Sequence, residues 1–211
     1  MIVVFLGPPG SGKGTQAKIL ASDMNWVHLS TGDLFRLAIQ SNSELGQKVK
    51  GIEQGALISD HLVLELITHQ IENIDLEKGL ILDGFPRTQA QVQGLEEILN
   101  HRNQILDHIV YFEISEAHLI TRLLKRKVCS QCGFVLSQAE LHQECPCCHQ
   151  QALLQRKDDQ LKIIQDRFLL YYRYTQPLVD YYQRQGKLSK IDAEADPSEV
   201  SLALKKVLGL I

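Results

Sequence analysis

Apolar residues in this chain form short continuous runs that alternate with longer stretches of helical periodicity. The first run, Ile2–Leu6, is apolar at every position, as expected for a strand buried on both faces. Further strands are predicted at residues 26–30, 79–83, 108–114 and 188–192. Helices are predicted at residues 13–23, 88–100, 115–127 and 197–208. Because strands and helices alternate, we expect a three-layer α/β fold in which helices cover both faces of a five-stranded parallel sheet.

Two segments are too long to be simple crossovers between neighbouring strands. Residues 30–73 form a helical excursion, and residues 125–159 contain every cysteine of the chain. We interpret both as inserts with functions of their own. A long helical stretch covers residues 158–185, and Pro177 is expected to bend or break it. The tyrosines of this stretch are expected to pack between helices rather than to stack on nucleic-acid bases.

The composition is that of a globular protein without a strong overall charge. Of 211 residues, 44% are hydrophobic and 22% charged, which excludes an intrinsically disordered chain. The formal net charge of −3 gives no general attraction to nucleic acid or to an anionic membrane. No apolar run approaches the ~20 residues of a membrane-spanning helix, and Ile2–Leu6 is too short for the apolar part of a signal peptide. We therefore expect a cytoplasmic protein without nucleic-acid or membrane partners.

A glycine-rich loop joins the first predicted strand to the first predicted helix. It reads Gly-Pro-Pro-Gly-Ser-Gly-Lys-Gly-Thr over residues 7–15. Glycines allow backbone N–H groups to turn towards an anion, while the helix N-terminus and Lys13 supply positive charge. This context predicts a phosphate-binding loop rather than an ordinary turn. The general pattern places Ser or Thr after the lysine, but here Gly14 stands there and Thr15 follows, so direct contact between a hydroxyl and Mg²⁺ is left open.

The cysteines predict a metal site. All five lie between residues 129 and 148, whereas a disulfide framework would spread them along the chain. The two C-x₂-C pairs are Cys129 with Cys132 and Cys145 with Cys148. Four thiolates in this pattern are typical of a tetrahedral, structural zinc site. Cys147 is either a spare thiol or a competing ligand, and His142 and His149 are weaker candidates.

Three further motifs, taken together with the loop, resemble the successive signatures of adenylate kinases. They are Thr-Gly-Asp-Leu-Phe-Arg at residues 31–36, Asp-Gly-Phe-Pro-Arg-Thr at 83–88 and Arg-Lys-Asp-Asp at 156–159. The loop itself has the form G-x-P-G-x-G-K-G-T that nucleoside monophosphate kinases carry. The order and spacing of the motifs resemble the family over the whole chain. The cysteine segment is similar to the long lid of bacterial members that hold a metal.

The resemblance implies reversible, Mg²⁺-dependent phosphoryl transfer from ATP to AMP, which gives two ADP. It also implies a core of residues 1–29, 60–124 and 160–211, an AMP-binding insert of residues 30–59, and a zinc-binding lid of residues 125–159. The insert and the lid would close over the substrates and expel water, which would otherwise hydrolyse ATP. A monomer is the expected state, because that is the habit of the family.

The resemblance also gives each candidate site residue a role. The expected ATP-binding residues are Gly10, Ser11, Gly12, Lys13, Gly14, Thr15, Arg126, Val135 and Leu136. The expected AMP-binding residues are Thr31, Arg36, Ala56, Leu57, Ile58, Gly84, Phe85, Arg87, Gln91, Arg156 and Arg167, with Thr31 and Gln91 facing the base. The expected catalytic residues are Lys13, Asp83, Arg87, Arg122, Arg126, Arg156 and Arg167. Asp83 would orient Mg²⁺ through water, while the planar guanidinium groups suit phosphate oxygens. Arg122 and Arg126 lie four residues apart in a predicted helix and should share one face.

Other functions fit only parts of the sequence. A kinase for UMP or CMP would share the loop, but Thr31, Gln91 and the long lid favour AMP. A nucleic-acid-binding ATPase with a zinc ribbon would need a basic or aromatic cluster around the cysteines, and the sequence has none. A GTP-dependent switch is disfavoured because the chain lacks an Asn-Lys-x-Asp guanine motif.

Overall fold

The computed structural model describes residues 1–41, 44–49, 58–136 and 143–211. Its strands are β1 (Ile2–Leu6), β2 (Val27–Ser30), β3 (Leu80–Asp83), β4 (His108–Glu113), β5 (Lys127–Cys129), β6 (Val135–Leu136), β7 (Leu153–Leu154) and β8 (Leu188–Asp192). Its α-helices are α1 (Lys13–Met24), α2 (Thr31–Gln40), α3 (Glu44–Lys48), α4 (Asp60–Glu72), α5 (Gln89–His101), α6 (Glu116–Lys125), α7 (Leu161–Leu170), α8 (Gln176–Arg184) and α9 (Pro197–Val207). Within these ranges, no helix combines the length and the apolar character needed to cross a membrane.

Five strands form the central parallel sheet, in the order β2-β3-β1-β4-β8. In the middle strand, Val4 lies beside Leu82 on one side and Ile109 on the other. Every residue of β1 is buried, because helices cover both faces of the sheet. The predicted α/β class is therefore confirmed, and so are the five predicted strands, whose ends differ from the observed ends by one residue at most.

Alternate residues of β1 enter two separate hydrophobic layers. Val3 and Phe5 pack with α1 and α9 on one face of the sheet. Ile2, Val4 and Leu6 pack with α4, α5 and α8 on the other face. The two layers fix the carboxyl ends of β1 and β3, and ligands of open α/β sheets bind at this edge.

The predicted helical excursion after β2 consists of α2, α3 and α4 in the part of the chain that the structure describes. The Ser30 side chain accepts a hydrogen bond from the Asp33 N–H and so caps α2. Buried side chains of α4 return the chain to the core of the molecule. Ala56 and Leu57, two of the residues predicted to bind AMP, lie outside the described residues.

The helix predicted over residues 115–127 ends at Lys125. Arg126 already has extended backbone, with φ −65° and ψ 131°. The reason is that β5 begins at the next residue and is the central strand of a second sheet, with the order β6-β5-β7 and antiparallel pairing. The prediction that Arg122 and Arg126 share a helix face is therefore wrong.

Pro177 does not break the helical stretch in which it lies. A π-helical turn, Tyr171–Thr175, carries α7 directly into α8, where Pro177 is the second residue. Proline donates no hydrogen bond and crowds the preceding turn, and a wider π turn relieves both problems. The predicted bend or break is replaced by a local widening of the helix. Tyr171 and Tyr182 are buried, which confirms the packing interpretation for them, whereas Tyr172 and Tyr174 are exposed and do not follow it.

Candidate functional site

The loop between β1 and α1 surrounds the ammonium group of Lys13. Lys13 Nζ donates hydrogen bonds to the carbonyl oxygens of Gly7 (2.6 Å) and Pro8 (2.8 Å) and to Ser11 Oγ (3.1 Å). Burial lowers the pKa of Lys13 to about 8, although the negative charge of Asp83 opposes this effect. The protein therefore stabilises the charged form of Lys13 less well than water does, and a bound phosphate would favour that form.

The shape of this loop depends on glycine at two positions. Gly10 and Gly12 have φ values of 86° and 89°, in the left-handed region that other residues adopt at a cost. At Gly10, a Cβ atom would also lie 2.9 Å from Cγ of Leu123 in α6. The predicted context of strand, glycine-rich loop and helix is present, and α6 packs directly against it.

Asp83 lies beside the loop, at the carboxyl end of β3. Its Oδ2 atom is 3.6 Å from His28 Nε2 and 3.0 Å from the position that a Cβ atom of residue 14 would take. Burial favours the neutral acid, but His28 and the charge of Lys13 outweigh burial and lower the pKa of Asp83. A serine or threonine after Lys13 would crowd this carboxylate, and Gly14 avoids that contact.

Five of the predicted arginines lie close enough to Lys13 or to one another for their charges to interact, and we call the region between these six cations the cleft: Arg36, Arg87, Arg126, Arg156 and Arg167. Desolvation by neighbouring protein atoms lowers the pKa of Arg87 to about 10, and repulsion from Arg167 adds to the effect, although the residue is exposed. Burial and repulsion from Arg126 likewise lower the pKa of Arg156 to about 10. Cations that repel one another in this way are suited to surround an anion.

Carboxylates hold the arginines in place. Arg126 forms a two-pronged ion pair with Asp159, with Nε–Oδ2 and Nη2–Oδ1 distances of 2.8 and 2.5 Å. Asp159 has no solvent exposure at all, so this pair is fixed within the protein. Arg167 donates to the Asp158 carboxylate at 2.9 Å and lies 3.4 Å from Asp159. The motif at residues 156–159 therefore supplies both an arginine and the anchors for two others.

The balance of charge in the cleft is positive. Arg36 pairs with Asp33 at 2.6 Å, within the motif at residues 31–36. Against the six named cations stand four carboxylates, those of Asp33, Asp83, Asp158 and Asp159. The described residues of the cleft thus carry an excess of positive charge, although the net charge of the whole chain is −3. This excess suits a polyphosphate ligand.

A hydrogen-bonded group lies next to the cleft, where β3 leads into α5. Thr31 Oγ1 and Arg87 Nε both donate to the carbonyl oxygen of Gly84, at 3.0 and 2.6 Å. Gln91 Oε1 accepts from the Arg87 N–H (2.8 Å), and Gln91 Nε2 donates to the Asp60 carboxylate (2.7 Å). The structure thus brings together four of the residues predicted to bind AMP.

Arg122 stands apart from the other arginines. Its guanidinium donates to the carbonyl oxygens of Ala193 (2.8 Å) and Glu194 (3.3 Å), beyond the end of β8, and forms none of the described ion pairs. Other predicted residues build the surroundings of the cleft: Val135 and Leu136 form β6, Phe85 is buried in the core and Ile58 packs against that core.

The acidic partners of the arginines carry no role in the sequence-based predictions. A signal was present for Asp158 and Asp159, which follow Arg156 directly in a motif. No comparable signal marks Asp60 or His28, because their partners Gln91 and Asp83 are distant in sequence and only the fold brings them together.

The four predicted zinc ligands form one cluster. The Sγ atoms of Cys129, Cys132, Cys145 and Cys148 lie within 4.8 Å of one another, and two of the separations are 3.5 Å. Thiolates about 2.3 Å from a tetrahedral zinc ion are separated by about 3.8 Å, so this cluster could hold zinc. Cys147 is exposed and is not a member of the cluster.

Both cysteine pairs adopt the same tight turn. The Gly133 N–H donates to the Cys129 carbonyl (2.9 Å), and the His149 N–H donates to the Cys145 carbonyl (2.8 Å). Gly133 has φ 69° and His149 has φ 57°, so the residue after each pair is left-handed. His149 therefore completes its turn through the backbone and is not part of the cluster. His142 lies outside the described residues.

The cysteine segment touches the core at the first of these turns. Lys18 Nζ on α1 donates to the Gly133 carbonyl oxygen at 2.9 Å. Farther along the segment, Arg156 lies near enough to Arg36 of α2 for repulsion between them to lower its pKa. Parts of the cysteine segment therefore lie next to α1 and α2.

Comparison with known proteins points to one family. A family model described as adenylate kinase matches residues 5–187. The chain is 40% identical to an adenylate kinase of Thermosipho africanus, over 100% of this chain and 99% of that protein. It is 41% identical to an adenylate kinase of Fervidobacterium nodosum and 38% identical to one of Methanocella arvoryzae, each over 99% of this chain and 98% of the relative.

Proposed function

This chain belongs to the adenylate kinase family and catalyses reversible phosphoryl transfer from ATP to AMP, and on this premise we propose how its residues divide the two nucleotides between them. Lys13 and the backbone N–H groups of residues 10–15 hold the ATP phosphates, with Arg126 reaching them from the cysteine segment. The proposal is supported by the lowered pKa of the buried Lys13, whose charge a phosphate would stabilise, and by the excess of cations around it.

AMP occupies the other side of the cleft in this proposal. Arg36 and Arg87 bind its phosphate, while Thr31 and Gln91 face its base. The support for this division is the hydrogen-bonded group of Thr31, Gly84, Arg87 and Gln91, which joins a phosphate-binding side chain to an amide that can read a base.

Arg156 and Arg167 lie between the two nucleotides and stabilise the phosphoryl group in transit. Phosphoryl transfer needs aligned substrates, neutralised charge and exclusion of water rather than covalent help from the protein. Preorganised cations neutralise the charge of the phosphates, because Asp158 and Asp159 already fix Arg167 and Arg126 before the substrates arrive. Arg122 is proposed to act on the ATP side, from its position beside Ala193.

A kinase of this family uses Mg²⁺ together with ATP. The residues fit that ion, because the Asp83 carboxylate is kept ionised beside the phosphate-binding loop. We propose that Asp83 holds Mg²⁺ through water. When bound, the ion would neutralise charge on the ATP phosphates.

We propose that zinc in the cysteine cluster is structural. Four thiolates leave no open position for a water molecule or a substrate. The segment of residues 125–159 is too small to bury a core of its own, and a bound metal commonly supplies the missing stability in so small a unit. This segment and residues 30–59 would close over the core as separate units.

The assembly and location follow from the same picture. We propose a monomer, since all the cations that meet the substrates come from one chain. We propose the cytoplasm as its location, because thiols that serve as metal ligands remain reduced there.

The convergence of Lys13 with five arginines on one cleft carries this proposal. Its test is to mix Mg·ATP with AMP, CMP, UMP, GMP or dTMP and to measure the ADP that forms. AMP is expected to react fastest by a wide margin. Faster reaction with CMP or UMP would overturn the choice of acceptor.

A further inference from the structure

The amide of Gln91 is fixed in one orientation by the protein. Gln91 is 1% exposed, and both of its polar atoms already have protein partners. The Arg87 N–H can only donate and the Asp60 carboxylate accepts, so the amide oxygen must face Arg87 and the amide nitrogen must face Asp60. The two partners come from different elements, the start of α5 and the start of α4, which meet here.

The fixed amide retains one N–H group and one oxygen lone pair for a ligand. A 6-aminopurine offers an amino donor beside the acceptor N1, which matches this pair. A 6-oxopurine offers the reverse, an acceptor O6 beside a donor N1–H. To bind it, Gln91 would have to flip, which would oppose its NH₂ group to the Arg87 N–H and its oxygen to the Asp60 carboxylate.

We propose that Asp60 is a specificity-determining positioning residue that makes the site select AMP over 6-oxopurine monophosphates. The inference rests on the proposed function, in which Gln91 faces the acceptor base. Asp60 acts only through Gln91: it does not touch the substrate. A site built around buried polar partners rejects an analogue with the reversed pattern far more strongly than an apolar pocket would.

The sharpest probe pair is AMP and IMP, which differ at the 6 position and N1 and are otherwise the same. Asp60→Asn keeps the size of the side chain but can either accept from or donate to Gln91. We expect the AMP-to-IMP ratio of kcat/KM to fall by about ten-fold, through a lower KM for IMP, while kcat with AMP stays within about two-fold. Asp60→Ser should lower the ratio in the same direction, and Asp60→Glu, which can only accept, should preserve it.

Two controls separate this inference from its premise. Glu199→Gln removes an exposed carboxylate from the first turn of another helix, α9, and should leave the ratio unchanged. Gln91→Leu should abolish most of the selectivity. An unchanged ratio in both Asp60→Asn and Asp60→Ser, with a collapsed ratio in Gln91→Leu, would overturn the role of Asp60 alone. An unchanged ratio in Gln91→Leu would overturn the proposed position of the base and the inference with it.

Discussion

Arg87 is held by its backbone and by its Nε atom, through Gln91 and the Gly84 carbonyl. No described residue takes a hydrogen bond from its two terminal nitrogens, so they can meet an anion side by side. Lys13 differs, since three protein oxygen atoms already surround its ammonium group. Arg87 and Lys13 are thus oriented in advance, and in the proposed function the phosphates of the substrates balance their charge.

The first prediction concerns Arg87. Arg87→Ala should lower kcat/KM for AMP by about 10²–10³-fold, because a preorganised fork of two charge-assisted hydrogen bonds is lost. Arg87→Lys should also be poor, since one ammonium group cannot replace two parallel bonds. Steady-state kinetics and ATP binding by calorimetry would check both variants. Arg173→Ala, which removes an arginine stacked on Tyr174, is the matched control. An equal loss of ATP affinity in Arg87→Ala would contradict the assignment to AMP.

The second prediction concerns Lys13 and pH. Its pKa of about 8 lies below the ordinary 10.5, so the free protein loses this charge as the pH rises through that value. Bound polyphosphate favours the charged form and should raise the pKa again. ATP binding at pH 8.5 should therefore take up protons, and affinity should fall as the pH rises further. Calorimetry in two buffers of different ionisation enthalpy measures the proton uptake. Binding that takes up no protons would show that the phosphates do not meet Lys13.

Among the elements, the two cysteine turns show how similar local sequences can differ in strain. Both turns need a left-handed residue, which is glycine at position 133 but histidine at position 149. The second turn therefore carries a conformational penalty that the first avoids. The end of α6, in contrast, is decided by strand pairing and not by local sequence, because β5 begins directly after it and pairs with β6 and β7.

The third prediction tests the ligand choice with two adjacent cysteines. Cys148→Ser should reduce bound zinc and lower Tm, because it removes one thiolate of a closed site. Cys147→Ser should keep both, because its thiol is exposed outside the cluster. Metal analysis and thermal unfolding provide the two measurements. At a temperature where Cys148→Ser remains folded, its phosphoryl transfer should fall only modestly. Zinc loss in Cys147→Ser alone would exchange the roles of the two residues.

Much of this architecture could be predicted from local sequence. The strands could be predicted because a strand that is buried on both faces is apolar throughout. The loop and the cysteine pairs could be predicted because their chemistry depends on spacing within a few residues. The end of α6 before Arg126 could not be predicted, since it depends on the pairing of β5 with β6 and β7. The contact between Asp60 and Gln91 was hidden for the same reason, because it exists only once α4 and α5 meet.

On the scale of the whole molecule, an exposed hydrogen bond ties the first cysteine turn to the core. Lys18 on α1 donates to Gly133, a residue of the first cysteine turn. Since α1 also carries Lys13 at its start, this contact links the segment to the helix that we propose binds the ATP phosphates. The ion pair between Asp159 and Arg167 of α7 reinforces the attachment at the other end of the segment.

The fourth prediction concerns this link. Lys18→Ala should weaken ATP binding by about three-fold, the effect of losing one exposed hydrogen bond that favours the closed arrangement. Distances between fluorophores on α1 and on the cysteine segment should shift towards longer values. Lys205→Ala removes a similar lysine whose partner, Asp23, lies in the core itself, and should leave ATP binding unchanged. Equal effects of the two variants would assign the change to lost charge rather than to the link.

The surplus of cations in the cleft also sets up a conflict between heat resistance and turnover. Without nucleotide, desolvation of the guanidinium groups and repulsion between them should destabilise the folded chain, whereas nucleotide bound as proposed should turn the same charges into a source of stability. Neutralising one of these arginines should raise the Tm of the nucleotide-free enzyme and lower its catalytic activity. Directed evolution for thermal tolerance would therefore drift towards inactive variants if screened without nucleotide, and the same selection carried out in saturating ATP and AMP would retain these arginines.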